Sequence, residues 1–190
     1  MGFLEITYGP MFSGKSSRLI EEISQYLDVN KSKRIFKKAV IINSEKDNRN
    51  INKIGNITSH SSVTKKMDSS ITYLSTEELK DINIEEYDYI AVDESQFFTD
   101  LFETVKIWLK KDKHVHCAGL ISDINKNKFG QLLDLFPLSS KNTQLNAFCV
   151  KCKDYLKNAT FTKLVKETES KNIIFISASE HYIPVCNEHY

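Results

Sequence analysis

The sequence predicts an α/β protein, a mostly parallel sheet covered by helices on both faces, followed by a small C-terminal metal-binding unit. Three observations carry this. The chain opens with a strand pattern, a glycine-bounded turn and an amphipathic helix in immediate succession. Apolar runs of strand length then alternate with stretches of helical periodicity, which places helices on both faces of a parallel sheet. After about Leu145 the pattern changes to short extended segments punctuated by cysteines. The expected division is therefore 1–145 and 146–190.

Taken in order, Phe3 to Tyr8 (FLEITY) reads as a strand and Gly9 to Ser16 as a turn. From Ser16 to Leu27 the apolar residues Leu19, Ile20, Ile23 and Leu27 recur at helical spacing. The basic run Lys31 to Lys38 reads as a solvated loop. Ala39 to Ile42 is a continuous apolar run suited to a buried parallel strand. Residues 44–70 are rich in Ser, Asn and Lys and read as a mobile loop. Ile71 to Leu74 reads as a short strand. Ser75 followed by Glu78 has the spacing of a capping box, so a helix is expected to open there. Tyr87 to Val92 is a core strand, Leu101 to Leu109 a helix and His114 to Leu120 a strand. Gln131 to Leu135 reads as a short helix and Thr143 to Ala147 as a further extended piece.

Composition narrows the class of partner. The chain has 190 residues, 41% of them apolar and 27% charged, with a formal net charge of +1. That balance gives no global attraction to nucleic acid or acidic membranes and favours a small-molecule partner. No apolar run is long enough to span a bilayer. The opening MGFLEITYGP lacks the basic and apolar regions of a signal peptide, and Ile6 breaks the myristoylation pattern after Gly2. A cytoplasmic location is expected. Four cysteines in such a compartment point to metal or free thiols rather than disulfides.

GPMFSGKS fits G-x-x-x-x-G-K-[ST], the loop that cradles nucleoside triphosphate phosphates. Gly9 and Pro10 open it, Met11, Phe12 and Ser13 form its turn, and Gly14, Lys15 and Ser16 lead into the helix. Backbone N–H groups and the helix dipole would face the phosphates. Lys15 would reach the β- and γ-phosphates, and the Ser16 hydroxyl could ligate Mg²⁺. A glycine turn beside a surface lysine is the bland alternative; the strand before and helix after argue against it.

VDESQFF, Val92 to Phe98, lies at the carboxyl end of a core strand, where ligands of such sheets bind. Asp93 suits a hold on Mg²⁺. Glu94 could act as general base toward an acceptor hydroxyl. Alone, two carboxylates at a strand end would more simply be solvated; the phosphate loop in the same chain changes that weighing. Farther on, Cys149 and Cys152 form CVKC, and Cys186 and His189 form CNEH. The two pairs offer four ligands for a closed, tetrahedral and hence structural Zn²⁺. Cys117 sits in an apolar strand and reads as a core residue.

Together these elements resemble the zinc-containing thymidine kinase family of animal cells, bacteria and large DNA viruses, over nearly the whole chain and in order. GPMFSGKS resembles that family's phosphate loop down to Met11 and Phe12. KDNR (Lys46 to Arg49) resembles its K-D-x-R, and DESQFF its D-E-[GA]-Q-F-F. KFG at Lys128 to Gly130 with Pro137 and Leu138 resembles its F-G…P-L segment. TFTK (Thr160 to Lys163) and HYIPVC (His181 to Cys186) resemble the segments flanking its nucleoside-binding lasso.

The resemblance implies a homotetrameric kinase that transfers the γ-phosphate of ATP to the 5′-hydroxyl of thymidine, with dTTP as feedback inhibitor. Glu94 would be the base, with Lys15 and Arg49 as the other catalytic residues. Asp47, Arg49 and Gln96 would join the phosphate site. Met11, Phe97, Leu120, Phe129, Thr162 and Tyr182 would wall the nucleoside pocket. Ile124 stands where the family usually places an aromatic residue against the base. The lasso stretch Ile173, Ile174, Phe175, Ile176 and Ser177 would run beside the base. Ser177-Ala178-Ser179 replaces a glycine-rich stretch, and His189 replaces a common fourth cysteine.

Other classes fare less well. A nucleoside monophosphate kinase would need an arginine cluster for the acceptor phosphate, and none is assignable. A guanine-specific switch would need N-K-x-D, whereas Asn125 to Lys128 lacks the acid. A zinc-ribbon nucleic-acid module would want a basic tail, yet this one carries Glu180 and Glu188.

Overall fold

The computed structural model describes residues 2–47, 69–152, 157–165 and 181–190. Its main body contains β1 (Phe3–Tyr8), α1 (Lys15–Ser32), β2 (Ala39–Ser44), β3 (Ile71–Thr76), β4 (Tyr89–Val92), α2 (Leu101–Lys110), β5 (His114–Gly119) and β6 (Lys141–Gln144). The six strands form one sheet in the order β3-β2-β4-β5-β1-β6. Every neighbouring pair is parallel.

Strand alternation splits the core between the two faces. Val40 and Ile42, with Leu4, Ile6, Val92 and Cys117, face α2 through Leu101, Val105 and Trp108. Ala39 and Ile41, with Tyr89, Ala91 and Ala118, face α1. Helix α1 meets them with Leu19, Ile23 and Leu27, four residues apart and at most 5% exposed. Each such side chain contributes roughly 1.5–3 kcal/mol by leaving water. Around β2 and β4 both faces are apolar, so those two strands read as continuous apolar runs rather than alternating ones.

The structure departs from expectation in three described places. No helix opens at Ser75. Ser75 and Thr76 instead complete six-residue pairing with β2, and only a 3₁₀ turn, Leu79–Asp81, follows. Tertiary pairing thus overrides a local capping signal. The helix expected from Gln131 is a 3₁₀ segment, Leu132–Leu138, with Pro137 inside it; proline removes the N–H that an α-turn needs. The basic run is exposed to solvent as expected, but it is not all loop. Its first residues finish α1, while Lys37 and Lys38 pair with Asp88 and Glu86, both at 2.7 Å. Of the loop expected at 44–70, residues 48–68 lie outside the described residues.

β6 ends at Gln144, and the next strands belong to two small antiparallel ribbons. β7 (Ala147–Phe148) pairs with β8 (Asn158–Ala159), and β9 (Phe161–Leu164) pairs with β10 (Tyr182–Val185). Ala147, Cys149, Ala159, Val185 and Cys186 form their own small core. Among the described residues, no helix is long and apolar enough to cross a membrane.

Candidate active site and metal centre

The carboxyl ends of β1, β2 and β4 bring together the groups expected to handle phosphate. After β1 the chain turns through Phe12 at φ +64° and Gly14 at φ +84°, and α1 begins at Lys15. Gly9 admits no side chain. A Cβ there would lie 2.2 Å from the Leu145 carbonyl oxygen and 2.8 Å from Ser13 Oγ. Lys15 is only 7% exposed, and its Nζ donates to the Pro10 carbonyl at 2.8 Å, which folds the ammonium back across the loop. Ser13 Oγ is buried with no hydrogen-bond partner among the described residues. Such an orphaned hydroxyl is rare in a settled core and suits a site that accepts phosphate oxygens.

Beyond β4, Asp93 and Glu94 are both 8% exposed. The Asp93 N–H continues the strand pairing to the Ile42 carbonyl at 2.9 Å. Its carboxylate accepts from the Glu94 N–H at 3.0 Å. Glu94 then turns sharply at φ +47°, ψ 41°, a conformation costing a non-glycine residue roughly 1–2 kcal/mol and often found at functional sites. Gln96 Nε2 donates to Glu94 Oε2 at 2.6 Å, and Gln96 Oε1 accepts from the Leu120 N–H at 2.9 Å. Glycines 119 and 130 leave room for this amide and its backbone. A Cβ on Gly119 would sit 2.5 Å from Gln96 Oε1, and one on Gly130 2.3 Å from the Gln96 carbonyl oxygen. β5 alone separates β4 from β1. Two strand spacings put the base end and the phosphate end about 10 Å apart. Asp47, after β2, is buried and accepts from Asn43 Nδ2 at 3.1 Å.

The small ribbons reach back to this site. Met11 N donates to Thr162 Oγ1 at 3.0 Å, tying β9 to the phosphate loop. Phe97 meets Phe129 edge-on, with centroids 5.6 Å apart. Tyr182 is buried, while Leu120, Ile124 and Thr162 are half-buried. Arg49 and the stretch Ile173 to Ser177 lie outside the described residues.

Cys149, Cys152, Cys186 and His189 converge, with all ligand atoms within 4.8 Å of one another. His189 Nδ1 lies 3.7, 3.4 and 3.3 Å from the sulfurs of Cys149, Cys152 and Cys186, and the Cys152 and Cys186 sulfurs are 3.7 Å apart. A tetrahedral ion with metal–sulfur bonds of ~2.3 Å sets sulfurs ~3.8 Å apart, so the cluster can hold a metal ion. Burial works against ionising Cys149, but backbone N–H groups of Cys186, Lys151 and Cys152 outweigh it and lower the thiol's pKa. Cys152 is pushed the other way, up to about 12, by burial and by the neighbouring Cys149 and Cys186 sulfurs, so without a cation Cys149 is the first of the two to ionise.

The sequence reading missed a polar network under α1. Glu5 on β1 accepts from Lys141 Nζ at 2.7 Å and lies 2.9 Å from His114 Nε2. Burial would raise its pKa, but those bonds hold it at about 2. His116, fully buried, lies 2.8 Å from Thr7 Oγ1 and 3.0 Å from Tyr89 Oη, and burial pushes its pKa down to about 4. The i, i+2 repeat of polar residues in Glu5/Thr7 and His114/His116 was the available signal. Cys117 is the buried core thiol expected, its pKa raised by burial.

Fold and site define a P-loop nucleotide-binding protein with a parallel sheet and an appended thiol–imidazole cluster. A family model described as thymidine kinase matches residues 2–190. The thymidine kinase of Amsacta moorei entomopoxvirus is 37% identical over 187 residues, covering 96% of this chain and 94% of that protein. That of Choristoneura fumiferana entomopoxvirus is 35% identical over 185 residues, covering 96% and 93%. That of sheeppox virus (strain KS-1) is 33% identical over 191 residues, covering 100% and 97%. The chain belongs to the thymidine kinase family. Kinase activity follows from that membership.

Proposed function

We propose that this chain transfers the γ-phosphate of ATP to the 5′-hydroxyl of thymidine, giving dTMP and ADP. The observation that carries the reading is the Glu94 carboxylate, buried and held by Gln96 at 2.6 Å, at the same sheet end as the phosphate loop. Residues 9–16 wrap the triphosphate with backbone N–H groups, and Lys15 places positive charge on the group in transit. Glu94 takes the proton of the 5′-hydroxyl as its oxygen attacks the γ-phosphorus and the bond to ADP breaks. Arg49 adds charge at the phosphates. Gln96 acts on this reaction by aiming Glu94. Ser16 and Asp93 would hold Mg²⁺, which neutralises phosphate charge when bound.

Met11, Phe97, Leu120, Phe129, Thr162 and Tyr182 would wall the nucleoside site with Ile124 against the base, and the family resemblance assigns Ile173 to Ser177 to the same pocket. A set of three thiols and one imidazole suits Zn²⁺. With all four positions taken by protein the ion would be structural. Residues 1–145 form the nucleotide-binding unit and 146–190 the metal-binding one. A homotetramer, feedback by dTTP and a cytoplasmic setting complete the proposal on the strength of family membership. The test is a panel of nucleosides with γ-labelled ATP: labelled dTMP is the expected product, and absence of transfer to any pyrimidine nucleoside refutes the reading.

A further inference from the structure

The loop from Leu120 to Gly130 is anchored at both ends on one residue and at its tip on the metal-binding ribbons. At its base, the Leu120 N–H is bound by Gln96, and Gly130 packs on the Gln96 backbone. Between them the loop closes on itself. The Phe129 N–H donates to the Ile121 carbonyl at 3.0 Å, and the Asp123 N–H to the Asn127 carbonyl at 2.9 Å. Asp123 Oδ1 accepts from the Asn125 and Asn127 N–H groups, both at 2.8 Å. At the tip, Lys126 has φ +63°. Glycine is the usual choice at a left-handed turn position, because a side chain there strains the backbone.

The lysine side chain has a destination. Its Nζ sits 3.9 Å from the ring centroid of Tyr190 and 4.2 Å from that of Phe161. Those two rings contact each other at 5.2 Å. The Tyr190 hydroxyl donates to the Ile124 carbonyl. Tyr190 directly follows the cluster residue His189, and Lys163 Nζ donates to the carbonyls of both, at 3.1 and 2.5 Å. Phe161 in turn precedes Thr162, which accepts from Met11 in the phosphate loop.

We propose that Tyr190 and Lys126 form a clasp that locks the 120–130 loop to the metal-binding ribbons and thereby sets affinity for the nucleoside. Tyr190 is a positioning residue: it acts through Ile124 and the loop rather than on the reacting atoms. This rests on the nucleoside-kinase reading, because Leu120, Ile124 and Phe129 are the loop's pocket residues. The strained lysine is the second, independent sign, since its side chain is retained where glycine would relieve the backbone.

The experiment compares Tyr190→Ala, Tyr190→Phe and Lys126→Gly with the unmutated protein. Four quantities are read: KM for thymidine, KM for ATP, metal per chain, and amide exchange of residues 120–130 against residues 9–16. For Tyr190→Ala the KM for thymidine should rise about tenfold, the loss of one hydrogen bond and one exposed cation–π contact. KM for ATP should stay within about twofold, the bound metal should stay at one per chain, and exchange should quicken in the loop alone. Tyr190→Phe keeps the ring and should lose about threefold, the weaker end of one hydrogen bond. Lys126→Gly should raise KM for thymidine without lowering thermal stability, a split that a merely structural role would not give. An unchanged KM for thymidine in all three variants overturns the clasp. So does an equal rise in both KM values, or loss of metal from Tyr190→Ala. Failure of the unmutated protein to phosphorylate thymidine refutes the kinase reading instead. The exchange arm still decides the clasp in that case: quickening confined to the loop supports it, and unchanged exchange sinks it.

Discussion

Gln96 grips Glu94 at 2.6 Å with one end of its amide and the Leu120 backbone at 2.9 Å with the other. The carboxylate is therefore aimed by a side chain that is itself fixed to the neighbouring strand. Removing each residue should separate aim from chemistry. Glu94→Gln should lower kcat by ~10²–10⁴ while leaving both KM values near normal. Gln96→Leu keeps the base but frees it and orphans the Leu120 N–H; kcat should drop by about tenfold. A Glu94→Gln protein within tenfold of normal kcat would remove Glu94 as the base.

Two changes in the phosphate loop should fail for different reasons. Lys15→Ala removes a charge directed at the transferring group and should reduce kcat by ~10²–10³ with thermal stability preserved. Gly9→Ala drives a methyl into the Leu145 carbonyl. Its backbone must shift, so we expect a loss of about 1–3 kcal/mol of stability. Thermal melts together with kcat distinguish the two; a Gly9→Ala protein as stable as its parent would contradict the close approach.

Metal analysis of protein purified without added metal should return one Zn²⁺ per chain. Cys152→Ser should reduce that value and loosen the ribbons. Full activity in chelator, with no metal bound, would take the ion out of the structure altogether.

Acid should find a weak point beneath α1. His116 titrates near 4 when folded against an ordinary value of 6.5. The unfolded chain thus takes up the proton first, and stability present above pH 6.5 falls as pH drops toward 4, by roughly 3 kcal/mol in all. Glu5, held at about 2, adds its own loss only below its ordinary 4.5. Chemical denaturation at pH 7, 5.5 and 4.5 measures this. His116→Gln should flatten the decline between 6.5 and 4.5; an unaltered slope would show that another group is responsible.

On the proposed reading, base choice rests on Met11 and Thr162, joined at 3.0 Å. If they flank the thymine methyl, thymidine should exceed deoxyuridine by about fourfold in kcat/KM, the worth of one buried methyl at ~0.8 kcal/mol. If backbone groups read the base edge, as the family resemblance implies, deoxycytidine presents the wrong donors and acceptors and should be far poorer. Enlarging Thr162 to Leu should hurt thymidine more than deoxyuridine. Equal losses for both would place the methyl elsewhere.

What the sequence made readable is what is chemically local. GPMFSGKS needs only a strand before it and a helix after, and both are written beside it. The cluster of Cys149, Cys152, Cys186 and His189 was legible because few residue types bind metal and these come in close pairs. The Ser75–Glu78 capping pattern misled because β2 offered that segment six residues of pairing. The hold of Gln96 on Leu120, the reach of Lys126 over Phe161 and Tyr190, and the Glu5–His114 contact all join distant parts of the chain. No short pattern announces them.

The order of strands also bears on how the molecule is made. Of the described strands β1 leaves the ribosome before the others, yet its two neighbours are β5 and β6, at residues 114–119 and 141–144. The phosphate loop leans on Leu145, whose N–H donates to the Tyr8 carbonyl at 2.7 Å. During synthesis the fully apolar Leu4 and Ile6 must therefore wait unpaired while most of the sheet is still being translated. Pairing across such separations is slow, and exposed strands invite aggregation. A nascent chain halted before residue 141 would hold a complete phosphate-loop sequence without β6 or the Leu145 contact that braces it, so this protein's yield in a cell should depend on chaperone supply and translation speed.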